Sequence, residues 1–232
     1  GAIAQADTKR RLSFTLVSHI GYLIMGVGLG TAAGVAAAVY YTVHHIVVQT
    51  TLFLATGLVE RRSGTTSITR LGGLLKASPL LGLLFFIPAL NLGGIPPLSG
   101  FLGKLGLLEA GVAVGSPIAL ATVGVATLVS LLTLYPLMRV WNLAFWRSRE
   151  EAAEGSNITD DLHDDPYRAT ATTTSPKRAV AGPMVAATGG MVALSLALTV
   201  AAGPLYALAT RAGADLQQGE AYISAVLGED PS

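Results

Sequence analysis

The sequence predicts an all-α, polytopic transmembrane helix bundle of five crossings, the third of them discontinuous near residues 91–99. Three observations carry that prediction. Apolar residues make up 51% of the 232-residue chain and charged residues 12%, with a mean hydropathy of +0.57. A soluble domain usually carries about 25% charged residues, and half of that leaves too little polar surface to cover a globule. Several stretches reach the roughly 20 apolar residues needed to span a bilayer. The basic residues, finally, cluster on alternate connections between those stretches.

The first crossing is 12–30, "LSFTLVSHIGYLIMGVGLG", and the second is 34–59, which begins "GVAAAVYYTVHHIVVQTTLF". The third, 78–115, is too long for one straight helix at 1.5 Å per residue. The fourth is 116–146, and 179–211 is the final helix. Whether 78–115 crosses once or twice is decided by charge. Lys9, Arg10 and Arg11 precede the first crossing, and Arg61, Arg62, Arg70 and Lys76 follow the second. Arg147 and Arg149 follow the fourth, Lys177 and Arg178 precede the fifth, and the turns near 30–34 and 115–116 carry no charge. A single broken crossing puts every basic cluster on one face, which the positive-inside rule makes cytoplasmic. The organisation is then a bundle over 1–146, a cytoplasmic polar loop over 147–178, the last helix, and an extracytoplasmic tail over 212–232. Trp141, Phe145 and Trp146 around Arg139 are expected to form an aromatic belt at the inner face.

The loop "EEAAEGS…DDLHDD" followed by a threonine-rich run is a polar linker by composition. His163 among its aspartates is either a loose metal contact or a solvated side chain, and the "NIT" sequon at Asn157 falls on the cytoplasmic side. The absence of cysteine excludes disulfides, thiolate chemistry and cysteine-held metals, and a net charge of +1 argues against a nucleic-acid partner. No phosphate loop, nucleophile elbow, zinc-protease or dinucleotide motif is present, so neither an enzyme nor a cofactor or resident metal is expected. "GAIAQADTKRR" is not a signal peptide, and the chain is expected to be part of a longer protein.

The break itself is "GGIPPLSGFLGK". Pro96 and Pro97 lack an N–H and constrain their predecessors, and Gly93 and Gly94 lie just upstream. Helices unwind at membrane depth only where the freed backbone meets protein or water. Gly100, Gly103 and Gly106 allow close packing beyond the break. Lys104 sits among them. A buried amine there favours its neutral form and can exchange a proton, whereas one that snorkels to an interface does neither. Glu109 is roughly 140° round the helix and not its direct partner. On the second crossing, Tyr41, His45 and Gln49 share a helix face and His44 points about 100° away. Such a polar stripe lines a hydrated path or supplies hydrogen bonds between helices, and His19 on the first crossing has the same two uses.

Taken together, these segments resemble a known family. "ADTKRRLSFTLVSHIGYLIMG", "HHIVVQTTLFLATG" and "GIPPLSGFLGK" are similar, in that order, to three motifs of the proton-translocating antiporter-like membrane subunits. Those subunits occur in Mrp-type multisubunit Na⁺/H⁺ antiporters, in respiratory complex I and in membrane-bound hydrogenases. The lysine form of the break is most like the D-type subunits of the Mrp antiporters. The resemblance spans residues 6–146 and implies that this chain supplies the last five crossings of a longer run. It implies that Lys104 is the terminal proton-carrying lysine, that His45 lines the central hydrated path and that Lys9 heads its helix as in the family. Lys9, His44 and His19 are further proton-transfer candidates, with Tyr41, Gln49 and Ser99 lining the path. Gln49 departs from the lysine of many relatives and cannot titrate near neutral pH, which either removes a relay step at this position or shifts it to His45 or Tyr41. The implied partners are other membrane subunits, the lipid bilayer, protons and a monovalent cation, with Na⁺ expected. The implied location is a bacterial plasma membrane. A redox-driven proton-pump subunit and a non-conducting structural subunit are the alternatives.

Overall fold

A computed structural model describes residues 1–153, 181–218 and Val226. After a 3-10 turn at Ala2–Ala4 come α1 (Thr8–Gly28), α2 (Ala32–Ser63), α3 (Leu74–Ala77), α4 (Pro79–Gly93) and α5 (Ser99–Val114). Then follow α6 (Pro117–Trp141) with a π-helical extension Asn142–Trp146, α7 (Gly182–Val200) and α8 (Ala202–Gln218). The described residues hold no strand, only an isolated bridge between Asp7 and Ser67. Ala32–Ser63, Pro117–Trp146 and Gly182–Val200 are long and apolar enough to cross a membrane, and Pro79–Gly93 is a shorter apolar helix. Asn157 and His163 lie outside the described residues.

The helix starts follow from local chemistry. Asp7 Oδ1 accepts from Arg10 N at 2.9 Å and caps α1. Thr31 Oγ1 takes Gly34 N at 3.1 Å, and Ser116 Oγ takes Ala119 N at 3.2 Å ahead of Pro117. Each satisfies one of the amides that a helix N-terminus leaves free. Ser148 and Glu151 cap one another reciprocally, Glu151 Oε2 taking Ser148 N at 3.0 Å and Ser148 Oγ taking Glu151 N at 3.1 Å.

Helix α2 is the centre of the bundle. Helix α1 returns along one side of it, and α4 with α5 along another. The largest apolar cluster joins Leu12, Val48, Leu52, Leu58, Phe85, Leu92, Leu137 and Phe145. Helices α4 and α5 pack in succession along α6, antiparallel to it. Phe85 meets Phe145 and Phe86 meets Trp141, with ring centroids 5.3 and 4.5 Å apart. Further along, Gly93 lies against Leu134, Lys104 bonds Ser130, and Gly111 lies against Val123. The two helices therefore follow one neighbour from end to end as a single interrupted rod. Phe145 belongs to the core rather than to a belt; of the three aromatic residues only Trp146 is exposed.

Three boundaries differ from expectation. The unwound stretch is 94–98, shorter than 91–99, because Asn91 to Gly93 still continue the helix. The single final helix expected over 179–211 is instead α7 and α8, meeting at Ala201. Pro204 has no N–H to give Val200, and that loss breaks the ladder. Helix α8 also runs on to Gln218, into the expected tail. On the basic face, Arg147 holds the connection after α2, its guanidinium donating to Ile68 O, Thr69 O and Leu71 O at 2.9, 2.8 and 2.6 Å. Burial lowers that guanidinium's pKa, and Glu151 opposes the shift.

Candidate functional site

The break exposes two sets of backbone groups, which the opposite half-helix and, for Ser99 N, helix α7 satisfy. Gly94 closes α4 in the left-handed region, φ +81°, and its N–H bonds Leu90 O and Asn91 O at 3.1 Å each. Residues 95–98 turn, with Leu98 N donating to Ile95 O at 3.0 Å and Pro96 and Pro97 exposed. The carbonyls of Leu92 and Gly93 then meet Lys104 of α5, whose Nζ donates to them at 3.1 and 3.2 Å. A third bond runs from Nζ to Ser130 Oγ of α6 at 3.0 Å, and the Tyr22 ring centroid lies 5.6 Å from the amine. Lys104 is 4% exposed and turns inward onto the negative end of the α4 dipole. All three of its hydrogen-bond acceptors are neutral.

In the other direction, Asn91 of α4 caps α5. Its Oδ1 accepts from Gly100 N at 2.9 Å and from Ser99 Oγ at 3.2 Å. Ser99 N donates to Thr199 Oγ1 of α7 at 3.0 Å. His44 Nδ1 lies 2.9 Å from Ser99 Oγ. The serine hydrogen is spent on Asn91, so His44 Nδ1 is the donor in this pair. The glycines of α5 make the approach possible: a Cβ at Gly103 would lie 2.8 Å from the Tyr41 ring.

A buried row of polar rings continues from there. Tyr41 OH and His19 Nδ1 are 2.5 Å apart. The His19 and His45 rings stack at 4.8 Å, and Tyr41 stands 5.4 Å from His44 and 5.7 Å from Tyr22. Gln49 Nε2 donates to Leu12 O at 2.9 Å. Tyr41, His45 and Gln49 thus face α1, and His44 faces α5, as the helical spacing requires. Both nitrogens of His45, Nε2 of His19 and of His44, Oε1 of Gln49 and Nδ2 of Asn91 are buried without a protein partner among the described residues. Buried polar atoms of this kind call for bridging water.

Lys104, His19, His44, His45, Tyr41, Gln49 and Ser99 are therefore brought together. Lys9 is not: it pairs with Glu60 at 2.5 Å and stands half exposed at the head of α1. Glu109 is exposed and is not a partner of Lys104. Asn91, Tyr22, Ser130 and Thr199 belong to the site but were not singled out from sequence. An asparagine inside "FFIPALNLGG" is the one signal that could have found the first of them. Arg11, counted above with the basic cluster, is fully buried and donates to Gln5 O.

A buried amine at a helix break, next to linked imidazoles in an apolar helical bundle, is an arrangement of the kind that membrane proteins use to bind ions. Residues 1–130 match the family described as "NADH:quinone oxidoreductase/Mrp antiporter, TM". The D-type subunit of the Na⁺/H⁺ antiporter of Alkalihalophilus pseudofirmus is 36% identical over 229 residues, covering 99% of this chain and 42% of that protein. The Mrp complex of Dietzia sp. DQ12-45-1b contains a chain that is 33% identical with a TM-score of 0.79, covering 98% of this chain and 46% of that one. An archaeal membrane-bound sulfane sulfur reductase shares the fold, with a TM-score of 0.74 at 24% identity over 97% of this chain and 40% of that one. The chain belongs to the NADH:quinone oxidoreductase/Mrp antiporter transmembrane family. It spans less than half the length of these relatives.

Proposed function

We propose that this chain forms the proton-conducting C-terminal part of a D-type subunit of a multisubunit Na⁺/H⁺ antiporter in a bacterial plasma membrane. Lys104 takes up and releases the proton, and the His45–His19–Tyr41 row with its bridging waters carries it through the middle of the bundle. The observation that supports this most is the amine's setting. It is buried, it has no carboxylate partner among the described residues, and it sits on carbonyls that are free only because the helix is broken. A lysine locked to a counter-ion would keep its proton; one held by neutral oxygens can release it when a nearby charge changes. Hydrogen bonding between helices alone would not require so many imidazole nitrogens buried without a partner among the described residues, along one connected row of rings.

In this proposal α1, α2, the α4–α5 rod, α6 and the kinked α7–α8 are the five crossings, with the loop over 147–178 cytoplasmic. The end-to-end packing of α4 and α5 on α6 supports counting them once. The partners are the other membrane subunits of the antiporter, and the transported ions are protons and Na⁺. The test is Lys104→Ala in the complete antiporter complex, read as Na⁺-dependent proton movement in everted vesicles. Lost transport with normal assembly is expected; undiminished transport assigns the chain a packing role. Subunits that co-purify with the full-length protein separate an antiporter from a redox-driven pump, which would bring redox centres with it.

A further inference from the structure

We infer that the three oxygens around Lys104 Nζ, Leu92 O, Gly93 O and Ser130 Oγ, form a monovalent-cation site that the lysine ammonium and Na⁺ occupy by turns. This rests on the proton-exchange role proposed above for Lys104 and adds to it the place where the second ion binds.

An ammonium is itself a monovalent cation with three directed hydrogens, and here all three are spent on oxygen, at 3.0–3.2 Å. Two of those oxygens are carbonyls in the last turn of α4, at the negative end of its dipole. The third is a hydroxyl from α6, a separate and continuous helix. Freed carbonyls at the C-terminal end of a half-helix, joined by a hydroxyl, are the ligands that hard monovalent cations take inside membranes. The ligand set is neutral, so it holds one positive charge and not two. Helices α4 and α6 contain no acid, and the one acid of α5, Glu109, is exposed.

Deprotonation supplies the exchange. A neutral amine can still donate to the two carbonyls and accept from the Ser130 hydroxyl, but it loses the charge that strengthens all three bonds. That weakening lets the side chain swing away, and a cation can then take its place on the same three atoms. Rebinding of a proton reverses the step. One proton leaves for each cation that enters, and the charge in the cage is unchanged. The titratable groups facing Lys104 are Tyr22 and His19 from α1 and Tyr41, His44 and His45 from α2. Helices α4 and α7 have none; Tyr135 and Arg139 of α6 are exposed, and Tyr206 of α8 lies further along α5, at Gly106.

The experiment uses the complete antiporter complex and Na⁺ itself. The half-saturating Na⁺ concentration for transport is measured across pH, and ²²Na⁺ binding is measured on the purified complex. In the unmodified protein that concentration should rise toward about tenfold per unit fall in pH, the limit for one-for-one competition. Ser130→Ala, which leaves the lysine in place, should raise it about five- to tenfold, and Ser130→Thr should restore it. Lys104→Ala should lose transport yet bind Na⁺ with an affinity that no longer varies with pH. If Lys104→Ala abolishes transport while Ser130→Ala leaves Na⁺ affinity and its pH dependence untouched, the shared site is wrong and the proton role stands. If Lys104→Ala transports normally, both fall. Should Lys104→Ala fail to assemble, the two serine variants decide the matter alone.

Discussion

Gly94 offers a test in which backbone strain and displacement of the amine can be separated. The residue sits at φ +81°, and a side chain there costs roughly 1–2 kcal/mol whatever surrounds it. A Cβ at 94 would also lie 3.1 Å from Lys104 Cδ and 3.2 Å from Nζ, so the lysine must retreat by some tenths of an ångström. Its bonds to Leu92 O and Gly93 O already measure 3.1 and 3.2 Å, near the long end of the useful range, and a retreat weakens both. Gly30 is the matched control: φ +65°, with nothing within 4 Å of its would-be Cβ. Both alanine variants should lose about 1–2 kcal/mol of stability, read as the melting of the purified complex. Only Gly94→Ala should also slow Na⁺-dependent proton movement, by about 5- to 30-fold per assembled complex, the factor that 1–2 kcal/mol represents. Gly94→Val should be slower still, whereas Gly30→Val should transport as Gly30→Ala does even though its β-branched side chain costs more stability at φ +65°. Equal transport by Gly94→Ala and Gly30→Ala would show that the amine's seat on α4 does not matter.

Other perturbations have equally direct readouts. Asn91→Leu removes the acceptor of Gly100 N and Ser99 Oγ, and the orphaned buried amide should cost about 1–3 kcal/mol in a denaturation midpoint; an unchanged midpoint would mean the clasp contributes nothing. Tyr41→Phe keeps the ring contacts but loses the bond to His19, and should slow proton movement about tenfold or more at unchanged Na⁺ affinity. A normal rate would move the path elsewhere. Arg147→Lys cannot reproduce a guanidinium that reaches three carbonyls, so amide exchange over 68–73 should accelerate as much as in Arg147→Ala. Lys9→Gln breaks an exposed pair worth under about 1 kcal/mol and should impair transport far less than Lys104→Ala.

The break was legible because its causes are local. Two prolines after two glycines unwind a helix wherever they fall, and a lysine in an apolar stretch has few places to go. The orientation of Tyr41, His44, His45 and Gln49 was legible too, since 3.6 residues per turn fixes relative direction within one helix. The completion of the site was not. Ser130, Thr199 and Asn91 reach it from helices whose mutual register depends on side-chain packing, and nothing in a serine inside "TLVSLLTL" marks it as the amine's third acceptor. The length of the break was overestimated for a related reason: Asn91 was counted with the unwound residues, yet it stays helical and works through its side chain. The kink at Ala201 was within reach, because Gly203–Pro204 is a helix-breaking pair of the same kind as that in the break.

The bond from Ser99 N to Thr199 has a bearing on how such chains can be altered. Thr199 lies well beyond residues 1–130, the part that matches the family. A version shortened ahead of α7, or grafted to another tail, would retain every recognisable motif and still lack an acceptor for the first amide of α5. Helix α7 is thus a structural component of the broken one, and any replacement of this chain's C-terminal end must bring an acceptor to that spot.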